Sequence, residues 1–74
     1  MHRPALSIVI PCYNEAASLT LLHQRVSAAA CAAVGDDHEI VLINDGSRDA
    51  SWAVMQQLAA TDARVVAILS LIHI

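Results

Sequence analysis

Apolar residues in this chain gather in three short blocks, and between the blocks they recur at three- and four-residue steps. Leu6-Ser7-Ile8-Val9-Ile10 is short, β-branched and followed by Pro11, which predicts a buried strand that stops at the proline. From Glu15 onward the spacing changes. Leu19, Leu22, Val26, Ala29 and Ala33 fall on one helical stripe, with Gln24, Arg25 and Ser27 on the other face. Gly35 is placed to stop that helix, and Asp36-Asp37-His38 reads as a polar connector. Glu39-Ile40-Val41-Leu42-Ile43 is nearly all apolar, as expected of a parallel strand covered by helices on both faces. After Asn44-Asp45-Gly46-Ser47, either Asp49 or Ser51 is positioned to cap a second helix. Its Trp52, Met55, Leu58 and Ala59 share a face, while Gln56 and Gln57 look outward. Arg64-Val65-Val66-Ala67-Ile68 returns as a third strand.

Strand, helix, strand, helix, strand in that order predicts an α/β fold: a parallel, Rossmann-like β-α-β-α-β unit joined by right-handed crossovers. The chain has no internal repeat and no linker composition. At 74 residues it is one small domain or a piece of a larger one, near the size at which a single core barely offsets the entropy of ordering the backbone.

Composition narrows the function classes. A chain that is 57% hydrophobic and 15% charged is not a disordered tail, and its wealth of small aliphatic residues suits a layered core. A formal net charge of -3 leaves no basic footprint for nucleic acid or for anionic lipid. Cys12 and Cys31 lack metal-site spacing and suggest two packed, reduced thiols. The apolar stretch after His2 and Arg3 is too short for a signal peptide, and no uninterrupted apolar run reaches the roughly 18 residues that a membrane-spanning helix needs.

Candidate chemistry concentrates after the first two strands. In open parallel sheets ligands bind beyond the carboxyl ends of the strands, where loops and helix N-termini converge. Pro11-Cys12-Tyr13-Asn14-Glu15 and Asn44-Asp45-Gly46-Ser47-Arg48-Asp49 both occupy such ends. Asp45 can accept hydrogen bonds from a base edge or a ribose hydroxyl, and Gly46 lets a ligand approach the backbone. Tyr13 offers a ring for stacking, and Glu15 a second acceptor. These are parts for holding a nucleoside. Each also has a structural reading: Asp45 as a turn cap, Tyr13 as packing, Glu15 as first-turn charge, Asn14 as a helix cap, Gly46 and Ser47 as turn formers, and Arg48 as a solvated charge. Neither G-x-G-x-x-G nor a Gly-rich loop ending in Lys-Ser or Lys-Thr is present, so the dinucleotide and P-loop readings lack their phosphate cradles. Trp52 and Met55 read as core, and His23, His38 and His73 show no metal-ligand spacing.

Taken together, residues 7–15 and 39–49 resemble the opening of family 2 glycosyltransferases, in particular the polyprenyl- or dolichyl-phosphate sugar transferases. The resemblance runs from Leu6 to about Ile68. It implies the nucleotide-binding half of a GT-A fold spanning residues 1–74, in which Pro11, Tyr13 and Glu15 line the nucleotide pocket and Asp45 contacts the base, with Asn14, Gly46 and Ser47 beside them. It further implies a UDP- or GDP-linked sugar donor, a polyprenyl-phosphate acceptor, the cytoplasmic face of a membrane as the place of work, and Mg2+ or Mn2+ held by an Asp-x-Asp on a later strand. No catalytic residue and no metal ligand is expected within the chain, because Asp36, Asp37 and Asp62 fall at the wrong end of the strands. The segment alone is expected to be inactive, and its atypical ending, residues 69–74, is expected to mark a truncated reading frame. A non-catalytic nucleotide-binding or interaction module is the alternative, and an Asp-x-Asp in the complete reading frame discriminates the two.

Overall fold

The protein was studied as a computed structural model that describes residues 3–13, 16–45 and 50–70, with the backbone alone for Asp45 and Ser70. The order is β1 (Leu6–Cys12), α1 (Ala16–Val34), β2 (His38–Asp45), α2 (Ser51–Thr61) and β3 (Val65–Ser70). The strands form one parallel sheet in the order β1-β2-β3. The predicted α/β unit is therefore the observed one, with strands longer than the apolar blocks.

β1 does not stop at Pro11 but runs through it to Cys12. A proline lacks the N–H of a ladder bond, and β1 tolerates it because it is an edge strand, hydrogen-bonded to β2 alone in this sheet. β2 begins at His38, which the connector reading had left outside the strand. His38 is buried, and its Nδ1–H donates to the carbonyl of Gly35 at 2.9 Å. Its Nε2 is buried and has no hydrogen-bond partner among the described residues. Gly35 ends α1 as expected, with φ of 64° and its N–H bonded to the Cys31 carbonyl at 2.8 Å.

Both crossovers step the same way across the sheet, so a common right-handed sense puts both helices on one face. Burial agrees. Leu19 of α1 and Met55 and Leu58 of α2 share a single core with Cys12, Ile40, Leu42 and Val65. The reading of β2 as helix-covered on both sides is corrected on this point. On the opposite face Val9 (57% exposed), Val66 and Ile68 lie open, and strand alternation adds Val41 and Ile43, which are half-buried.

The helical stripe of α1 also needs adjustment. Leu19, Leu22 and Val26 pack inward, but the stripe continues through Ala30, while Ala29 and Ala33 are exposed. From Leu19, three turns of 3.6 residues reach position 29.8, so the register falls on residue 30. In a run of alanines the sequence carried no signal to choose. α2 behaves as predicted, with Met55 and Leu58 buried, Trp52 and Ala59 half-buried against the core, and Gln56 and Gln57 exposed. Cys31 is exposed rather than packed; Cys12 is buried, and neither is in a disulfide.

Candidate functional site at the carboxyl rim

β1 and β2 are adjacent and in register, Pro11 opposite Ile43 and Cys12 opposite Asn44, so their carboxyl ends lie side by side. β3 joins the same rim, with Asp45 opposite Ser70. Pro11 is exposed near the end of β1, and Tyr13 follows the strand with half its surface free. Asp45 is the last residue of β2. Asn14, Glu15, Gly46 and Ser47 lie outside the described residues, as do Arg48 and Asp49. What the fold brings together is therefore the two strand ends from which both candidate loops depart.

α2 starts at this rim too. Its N-cap position is Ala50, which makes no side-chain capping bond, and Ser51 lies inside the first turn, fully buried. The expectation that Ser51 caps the helix is thus corrected, and Asp49 falls outside the described residues. The methyl side chain of Ala50 has no acceptor to offer the first N–H groups of α2.

Beneath the rim, Cys12, Asn44 and Ser51 are all buried. Asn44 and Ser51 were not singled out as site residues by sequence, although a signal existed. Asn44 continues the alternation Ile40, Leu42, Asn44 onto the helix-covered face, where an amide is out of place unless it is bonded.

Other acids are engaged at the opposite end of the sheet. Asp62 Oδ2 accepts from His23 Nε2 at 2.8 Å and Oδ1 from the Arg64 backbone N–H at 3.0 Å. Arg64 reaches Asp36 at 2.8 Å. Asp36 is mostly exposed, so that last pair contributes little, whereas His23 and Asp62 are both largely buried. Burial alone would raise the Asp62 pKa. The Arg64 N–H, the His23 hydrogen bond and the charges of His23 and Arg64 outweigh it and hold the carboxyl below its ordinary value. A depressed folded-state pKa contributes stability that is present above the unfolded value, near 3.9, and is lost as pH falls through the folded one. Asp62→Asn should therefore flatten the fall of the melting temperature between about pH 4 and pH 2. A wild-type acid limb in that variant would remove Asp62 from the balance.

Among the described residues no three His, Cys, Asp or Glu side chains converge as a metal site requires. The described residues do not by themselves form a site for a divalent cation. Nor is any helix among them long and apolar enough to cross a membrane.

The sequence profile of glycosyl transferase family 2 matches residues 7–70, a span that includes both rim loops. The chain belongs to glycosyl transferase family 2. Relatives include undecaprenyl-phosphate 4-deoxy-4-formamido-L-arabinose transferases from Pseudomonas aeruginosa, 49% identical over 61 residues, and from Edwardsiella ictaluri, 46% identical over 65. These alignments cover 82% and 86% of this chain but only 18% and 20% of the relatives, so the chain spans about a fifth of their length. Among solved structures, the mannosyltransferase PcManGT from Pyrobaculum calidifontis, in complex with GDP-Man and Mn2+, superposes with a TM-score of 0.67 at 20% identity. That superposition covers 99% of this chain and 21% of the neighbour, so the β-α-β-α-β unit shares its fold with that part of the neighbour.

Proposed function

We propose that this chain is the donor-nucleotide-binding part of a transferase that moves a sugar from a UDP- or GDP-linked donor to a polyprenyl phosphate at the cytoplasmic face of a membrane. The observation that carries this reading is a family 2 match running through both strand-end loops, joined to near-half identity with relatives named for transfer to undecaprenyl phosphate. The fold supports it physically. Two parallel strands end side by side, and the two polar loops leave from neighbouring points at the rim where ligands of such sheets bind.

In this reading Tyr13 stacks on or borders the base and Asp45 accepts from the base edge or ribose. Pro11, Asn14, Glu15, Gly46 and Ser47 shape the remaining wall. The chain's own contribution is binding and orientation, which lowers the barrier by fixing the donor against the acceptor. A divalent cation, supplied by ligands elsewhere in the complete polypeptide, would neutralise the leaving diphosphate.

The test is transfer of labelled sugar from UDP- and GDP-linked donors to undecaprenyl phosphate by the complete polypeptide with Mg2+ or Mn2+. Labelled lipid-linked sugar is the expected product. Nucleotide binding without transfer to any lipid phosphate would contradict the transferase reading and leave a binding module.

A further inference from the structure

We draw no further inference here: the strongest candidate, the helix-free apolar face of the sheet where Val9, Val66 and Ile68 lie open, carries nothing because nothing in the structure shows what covers it.

Discussion

Asp45→Ala in the complete polypeptide should weaken UDP or GDP binding by roughly 10- to 150-fold, the equivalent of losing a hydrogen bond to a charged acceptor worth ~1.5–3 kcal/mol. Asp45 is the final residue of β2, at the rim where β1 also ends. Its structural reading was that of a cap leading into α2, but the N-cap position is Ala50, five residues further on. Asp45 is therefore not the N-cap of α2, and in the proposed reading its carboxylate serves the nucleotide. Asp45→Asn keeps an acceptor oxygen while losing the charge, and should fall between wild type and alanine. Unchanged calorimetric affinity in Asp45→Ala would remove this residue from the site.

Leu19→Ala should cost about 2–5 kcal/mol, the range for truncating a fully buried leucine. Leu19 is 0% exposed and belongs to the same buried cluster as Ile40, Leu42 and Met55, so it joins α1 to both the sheet and α2. A domain of this size has only a few kcal/mol to lose. The 74-residue chain carrying this change is therefore expected to lose its cooperative unfolding transition in urea, followed by circular dichroism. Leu21, two residues away and 50% exposed, serves as the control, and Leu21→Ala should stay within about 0.5 kcal/mol of wild type. Equal losses in the two variants would mean that α1 packs by another face.

Much of this architecture was legible in the sequence because the two periodicities separate cleanly. Ile40 and Leu42 sit in an apolar run too short for a helix, and Met55 and Leu58 recur at helical spacing. Less legible were features that depend on a neighbour. Pro11 reads as a strand end when β1 is considered alone, yet an edge strand accepts it. His38 looks like loop until the Gly35 carbonyl is there to receive its N–H. Ala29 and Ala30 are indistinguishable by composition, and only packing decides which is buried. The covering of one sheet face rather than two follows from strand order, which no local pattern encodes.

For the site, the motif residues around Tyr13 and Asp45 were visible as polar breaks at the ends of apolar strands. The buried layer under them was not, because Asn44 looks like the first residue of a polar loop until the strand alternation is carried one step further. Helix α2 gave the opposite lesson. Ser51 is a favoured capping residue by type, but the helix begins at it, and its side chain turns into the core.

The central claim is that the loops following β1 and β2 hold one nucleotide between them. It is tested most directly by titrating the isotopically labelled complete polypeptide with UDP and with GDP and following backbone amide resonances. The amides of residues 13–15 and 45–49 are expected to shift together, with one saturating dissociation constant, while those of His23, Asp62 and Arg64 at the opposite rim stay still. Shifts confined to one of the two loops, or centred on the opposite rim, would contradict it.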